Sequence, residues 1–287
     1  MLDRPALVVP FTKMNGAGND FLVLDNRFLR FTVGELETLA RTFCPRRTGI
    51  GADGLLALDE PDADGAAFRM RYRNADGSLG TMCGNGARCL ARFAARASLG
   101  TEADGVVDLV FDTDGGRYRA RVEGRAGSGP VELDVPSPRD FGPADTRGGE
   151  AVLRIWTGTE HAVVFAADVD AADVAGVGPR LRHDPAFAPT GTNVDFVEVV
   201  GPDRVRVRTF EKGVEAETLA CGTGAVASAL VAHLDGRLGE GSERSVAVEM
   251  PGGTLTVGFR AEGEAVAGLT LAGPAETVYE GTLEWRG

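Results

Sequence analysis

A chain of 287 residues has room for one large or two ordinary domains. Its net charge of −12 and pI near 4.8 argue against nucleic acid or an anionic membrane as partners. No apolar run is long enough to span a bilayer, the opening Met1 to Lys13 lacks the layout of a signal peptide, and four scattered cysteines make no disulfide scaffold, so a soluble enzyme of the reducing cytoplasm is expected.

In chain order, a Gly/Asn-rich turn at Asn15 to Asp20 runs into an apolar strand, Phe21 to Leu24. Thr32 to Phe43 has helical spacing, with Val33, Leu36, Leu39, Ala40 and Phe43 on one face and Thr32 as N-cap. A glycine-rich loop, Arg46 to Asp53, precedes the strand Leu55 to Leu58. Phe68, Met70 and Tyr72 alternate with arginines as in a half-buried strand. A polar loop from Asn74 to Met82 leads to Cys83-Gly84-Asn85-Gly86-Ala87 and a run without helix breakers. Two strands between Val106 and Val122, and a third at Val131 to Val135, are followed by loops. The loops are Glu123 to Pro130 and Pro136 to Asp145, and one of them marks a change of domain.

The second half repeats this order. Gly158 to His161 and Ala162 to Phe165 match the opening turn and strand, and Asp168 to Leu181 takes the place of the first helix. Thr190 to Asp195 shares the Thr-Gly-x-x-x-Asp spacing of Thr48 to Asp53, ahead of the strand Phe196 to Val200. Val205, Val207 and Thr209 alternate with arginines. Cys221-Gly222-Thr223-Gly224-Ala225 then opens a second helix, with Lys212 matched to Asn74 by its distance from the cysteine. Such repetition reads as an internal duplication: two similar α/β domains, each offering one cysteine helix to a shared cleft. The domains are placed at 1–133 plus 276–287 and at 134–275. Ser245 to Met250, Leu255 to Phe259 and Leu269 to Leu271 are strands, and Glu276 to Trp285 is a last strand returning to the first domain.

A cysteine at a helix N-terminus lies beside unpaired N–H groups and the positive end of the dipole, which stabilise a thiolate and can hold a carboxylate. Two thiols on opposite faces of one carbon can remove a proton from one side and return one on the other, which is stereoinversion. Gly84, Asn85, Gly222 and Thr223 are the expected donors to the substrate carboxylate. A Cys83–Cys221 disulfide would be an oxidised, inactive state. Zinc is not expected, since Cys83 and Cys89 lack close-pair spacing and the only histidines are His161, His183 and His233. Cys-x-x-Cys is absent. Pyridoxal phosphate would need a lysine, and only Lys13 and Lys212 exist. Cys44 and Cys89 suit buried structural roles. His183, His233 and the many arginines are expected at the surface.

At these residues the chain resembles the diaminopimelate epimerase family nearly end to end. The resemblance is carried by Lys13 to Phe21, Gly49 to Gly54, Asn74 to Ser78 with Met82 to Cys89, Gly191-Thr192-Asn193, Glu211-Lys212-Gly213 with Ala220 to Ala225, and Pro251-Gly252-Gly253. It implies an α/β (α+β) fold of two pseudo-symmetric domains. Each would be a mostly antiparallel, barrel-like sheet wrapped around a central helix, with the active site in the cleft between them. It also implies a cofactor-independent, commonly homodimeric epimerase that converts LL- to meso-diaminopimelate for lysine and cell-wall synthesis. Carried over by position, Cys83 and Cys221 are base and acid, His161 and Glu211 are auxiliaries near the thiols, and Asn19, Asn74 and Asn193 hold substrate. Gly84-Asn85 and Gly222-Thr223 cradle the reacting carboxylate, and Glu211-Lys212 adds substrate contacts.

Three positions depart from the family pattern: Gly54 for a frequent Gln, Thr159 for Asn, and Lys212 for Arg. Lysine offers a carboxylate a point charge rather than a bidentate fork. An amino acid other than diaminopimelate therefore stays open as substrate, as does a catalytically silent amino-acid-binding protein.

Overall fold

The computed structural model describes residues 6–263 and 265–286. It divides into two compact units, Met1–Leu133 with Gly273–Gly287, and Asp134–Ala272.

The first strand among the described residues is Leu7–Gly16, where the sequence pattern suggests none. It forms a hairpin with Asn19–Asp25 through Ala17 and Gly18, at φ 54° and 91°. Positive φ at both residues gives a two-residue turn the twist of its strands. Asn19–Asp25 runs parallel to Gly54–Asp59, and the crossover between them carries the helix Val33–Phe43. Thr32 caps that helix, and Glu35 completes a reciprocal capping box. Gly54–Asp59 pairs antiparallel with Phe68–Asn74. Phe68–Asn74 in turn meets Val106–Thr113 in parallel. Gly116–Glu123 and Val131–Asp134 follow as antiparallel neighbours. The tail strand Glu276–Trp285 lies antiparallel on Leu7–Gly16, so the chain does return to the first unit. The return begins at Gly273, ahead of that strand, because Ala275 packs in this unit's core and the Pro274 carbonyl accepts from Arg88.

Burial on both faces explains why Asn19–Asp25 and Gly54–Asp59 carry continuous apolar runs, whereas Phe68–Asn74 and Val106–Thr113 alternate. Along Asn19–Asp25, Phe21 and Val23 belong to the core around the helix Gly84–Arg96. Leu22 and Leu24 belong to the core under the outer helix, with Leu36, Leu39 and Ala40. The Cys83 helix is buried on nearly all sides, Asn85 through Leu90 included. A helix walled by strands needs small residues, and it has Ala87, Ala91, Ala94 and Ala95.

The second unit repeats the plan. Val152–Trp156 and Glu160–Phe165 form an antiparallel pair, Glu160–Phe165 runs parallel to Asn193–Gly201, and Arg204–Glu211 pairs antiparallel with the latter. Arg204–Glu211 lies parallel to Glu243–Met250, and Gly253–Glu262 and Ala265–Gly273 complete the run. The central helix is Gly222–Leu234, buried from Gly224 to Ala232.

Pro136 to Asp145 is not all loop: Arg139–Ala144 is an edge strand on Val152–Trp156, with the Arg139 guanidinium 3.7 Å from the Trp156 ring centroid. The helix expected from Asp168 starts at Val174. Upstream, Asp168 binds the Asp170 N–H in a turn and the Val169 N–H turns to Glu198, while Asp173 caps the helix through Gly176. The position that closes a strand as Asn74 does is held by Glu211, not Lys212. Asp53 precedes its strand whereas Asp195 is the third residue of its own, so the shared Thr-Gly-x-x-x-Asp spacing is out of register. Arg73, Arg88, Arg92 and Arg244 are buried rather than at the surface.

Candidate active site

Each unit carries one half-site, built on the first turn of its central helix. In the first, Cys83 is the N-cap in extended conformation, φ −137° and ψ 117°. The Gly86 N–H donates to its Sγ at 3.5 Å and the Ala87 N–H to its carbonyl at 2.8 Å. Gly84 and Asn85 are thus left with N–H groups that have no intrahelical acceptor, as an anion cradle requires.

The Asn85 side chain turns inward. Its Nδ2 donates to Asn19 Oδ1 at 2.6 Å, and its Oδ1 accepts from Arg88 Nη2 at 2.6 Å. Asn19 Nδ2 donates to Asp53 Oδ2 at 2.9 Å. Asn19 is therefore committed at both ends of its amide, with one N–H over for a ligand. Lys13 and Arg46 pair with Asp20, and Arg46 reaches Asp53 as well, so the segment around Asn19 is held by charge. Asn74 is less committed: its Nδ2 meets Ser78 Oγ at 3.0 Å across a tight turn. A side chain at Gly54 is sterically barred, since a Cβ would stand 2.5 Å from the Arg73 carbonyl.

Arg88 is a residue the sequence reading missed. It is wholly buried, burial depresses its pKa, and among the described residues its Nη1 has no hydrogen-bond partner. The available signal was the i, i+4, i+8 row of Arg88, Arg92 and Arg96 along a helical run of otherwise small and apolar residues.

In the second half-site Cys221 is again an extended N-cap. Its Sγ takes the Gly224 N–H at 3.4 Å and lies 3.5 Å from Thr223 Oγ1. Gly222 and Thr223 keep N–H groups without intrahelical acceptors, since the Ala225 N–H already closes on the Cys221 carbonyl. Thr157 Oγ1 donates to the Thr223 carbonyl at 2.9 Å, which ties the Gly158 turn to this helix.

His161 and Asp195 are buried side by side, Nδ1 to Oδ2 at 2.7 Å, and Asp195 Oδ1 accepts from Thr209 Oγ1 at 2.7 Å. Asn193 stands 3.3 Å from His161 Nε2 through Nδ2, and its Oδ1 accepts the Lys212 N–H at 2.7 Å. Glu211 is raised above its usual value by burial, with the nearby Asp195 adding to the effect. Lys212 Nζ binds Glu160 Oε2 at 2.6 Å. Burial alone would raise Glu160, but this pairing and neighbouring hydrogen bonds hold it at about 2. The sequence reading missed both Glu160 and Asp195. Asp195 was visible as an acid inside an apolar strand, Val194-Asp195-Phe196.

Cys221 departs from the expectation for a helix-terminal thiol. Burial, then the Glu211 and Asp195 carboxylates, push it well above its usual value, and the Thr223 hydroxyl and Gly224 N–H act the other way without prevailing. Cys44 and Cys89 are pushed up to about 12, chiefly by burial. These thiols are protonated at neutral pH, so at pH 7.5 iodoacetamide should label the half-buried Cys83 first and leave Cys44 and Cys89 intact until unfolding. Peptide mass spectrometry checks the order. The unfolded chain loses thiol protons above about pH 8.5 while the fold retains them, so stability should fall as pH rises past that value.

The family pattern described as diaminopimelate epimerase matches residues 11–135 and 154–278, the first stretch mostly in the first unit and the second mostly in the second. The chain belongs to the diaminopimelate epimerase family. It is 43% identical over 271 residues to the diaminopimelate epimerase of Chlorobaculum tepidum, covering 94% of this chain and 99% of that one. To the Aquifex aeolicus diaminopimelate epimerase it is 38% identical over 282 residues, covering 95% and 97%. As in this family, the chain is an isomerase of the epimerase type.

Solved structures share the fold at low identity. A PhzF-family phenazine biosynthesis protein from Bacillus anthracis aligns with TM-score 0.74 at 15% identity, over 96% of this chain and 99% of that one. A probable proline racemase from Agrobacterium radiobacter aligns with TM-score 0.70 at 17% identity, over 96% and 92%. The fold is thus mixed α+β, mostly strand with few helices, as expected. No helix among the described residues is long and apolar enough to cross a membrane.

Proposed function

We propose that this chain interconverts LL- and meso-diaminopimelate by passing the α-proton between Cys83 and Cys221, with no cofactor or metal. One thiolate takes the proton, and the electron pair left on the α-carbon spreads into the carboxylate, where helix-terminal N–H groups meet it. The other thiol returns a proton on the opposite face, and the two sulfurs end with exchanged protonation states. The observation that supports this most is the duplicated N-cap: each sulfur accepts an N–H three residues on, beside two N–H groups free of helical bonds. The protonated state favoured for Cys221 suits the proton donor. We assign the chain to the cytoplasm, to lysine and peptidoglycan-precursor synthesis, and to a homodimer. Asn19, Asn74, Asn193, Glu211 and Lys212 are the proposed contacts to the rest of the substrate.

A second reading keeps the chemistry and changes the substrate. Lys212 is already matched by Glu160, so a distal carboxylate would meet a neutralised pair rather than a free cation. Deuterium wash-in distinguishes the readings. With the whole chain in D2O, exchange at the α-carbon of LL-diaminopimelate supports the first. Exchange only with another amino acid supports the second. Saturable binding without exchange of any candidate would leave an amino-acid-binding protein.

A further inference from the structure

His161 has its ring nitrogens spoken for on both sides, and the partners fix where its hydrogen sits. The Lys212 backbone N–H can only donate, so the Asn193 atom that meets it at 2.7 Å is the carbonyl oxygen. The Asn193 NH2 is then the group turned toward His161 Nε2, at 3.3 Å. An NH2 donates, so Nε2 presents its lone pair and the ring is a neutral imidazole with its hydrogen on Nδ1. That hydrogen points to Asp195 Oδ2 at 2.7 Å, with both side chains at 0% exposure.

Asp195 is itself held. Its second oxygen takes the Thr209 hydroxyl at 2.7 Å, and it occupies space left open by a glycine: a Cβ at Gly224 would stand 2.5 Å from Asp195 Oδ1. A carboxylate facing a neutral ring is an uncompensated buried charge, which is costly. A neutral acceptor would serve the packing at lower cost.

We propose that Asp195 is a positioning residue of the Cys221 half-site: it holds His161 in the Nδ1–H tautomer and thereby orients the Asn193 amide and the end of the strand that carries Glu211. The chain of donors runs in one direction, from the Lys212 N–H to Asn193, from Asn193 to His161, and from His161 to Asp195. Flipping the tautomer would set an Nε2–H against the Asn193 NH2, and flipping Asn193 in response would set its NH2 against the Lys212 N–H. Asp195 touches no reacting atom in this scheme and acts through His161. The kinetic part rests on the epimerase reading above; the tautomer does not.

The test uses the full chain labelled with 15N-histidine. Only three histidines are present, and His183→Gln and His233→Gln assign the remaining ring. Wild type at pH 7.5 should show one histidine with a protected Nδ1–H and an unprotonated Nε2. Asp195→Ala should lose that single tautomer. It should also lower kcat at least tenfold, with KM shifted less than threefold. Asp195→Asn should restore the tautomer and most of kcat, because its carboxamide oxygen can accept the Nδ1–H while its NH2 faces Thr209 Oγ1, whose hydroxyl can accept.

An Nε2–H tautomer in wild type would overturn the proposal, and that spectrum needs no variant to fold. An unchanged tautomer in Asp195→Ala would overturn it too, as would a folded Asp195→Asn that behaves like Asp195→Ala. If the tautomers behave as described but no amino acid exchanges its α-proton, the epimerase reading fails and the positioning role stands.

Discussion

Cys83→Ala and Cys221→Ala are each expected to lower inversion by about a thousandfold or more, because general acid–base groups contribute on that scale and no other group here replaces a thiol. The two variants should fail differently. A protein keeping only one thiol can still remove the α-proton from the isomer that presents its hydrogen to that sulfur, exchange it with solvent and return it to the same face. Each single variant should therefore wash deuterium into one diaminopimelate stereoisomer without inverting it, and the two should prefer opposite isomers. Circular dichroism follows inversion, and mass spectrometry follows exchange. Inversion by either alanine variant at a tenth of the wild-type rate would exclude the two-thiol mechanism.

Gly224→Ala is expected to be far more damaging than Gly86→Ala, although the two glycines hold the same place in the repeated motif. A methyl group on Gly86 meets Leu56 Cδ2 at 3.2 Å and the edge of the Phe21 ring at 3.4 Å, both far ends of side chains that can give way. The gain in helix propensity, about 1 kcal/mol, offsets that crowding and leaves stability nearly unchanged. A methyl group on Gly224 meets Asp195 Oδ1 at 2.5 Å, with Cys221 Cβ and Thr209 Oγ1 both at 3.2 Å. The carboxylate must move, and its bonds to His161 and Thr209 move with it. We expect Gly224→Ala to lose about 1–3 kcal/mol, the usual range for overpacking, and at least tenfold in kcat. Thermal melts and initial rates of both variants check the contrast. Equal, small effects would mean that the Asp195 carboxylate is not confined beneath the helix.

Much of the plan was legible because it rests on local rules. Thr32 and Glu35 mark a helix start by a capping box that needs no tertiary partner. Phe68, Met70 and Tyr72 alternate as a strand does. The two Cys-Gly-x-Gly turns announce themselves twice, since a sulfur at an N-cap with glycines after it makes little sense as core filler. The opening strand was missed because its inward residues run together, with Phe11 through Met14 all buried, so no alternation survives. The late start of the helix at Val174 turned on side-chain bonds from Asp168 and Glu198 that propensity does not report.

The sequence by itself determined the duplication, the two cysteine-capped helices and the family, because these are carried by residue order and by short-range backbone chemistry. Only the tertiary structure decided which charges stand behind each turn. Register placed Asp195 under Gly224 and a buried Arg88 behind Asn85, and it put Glu211 rather than Lys212 at the end of its strand. Desolvation and the distance between charges depend on residues far apart in the chain, so two nearly identical motifs came to have unlike electrostatic surroundings.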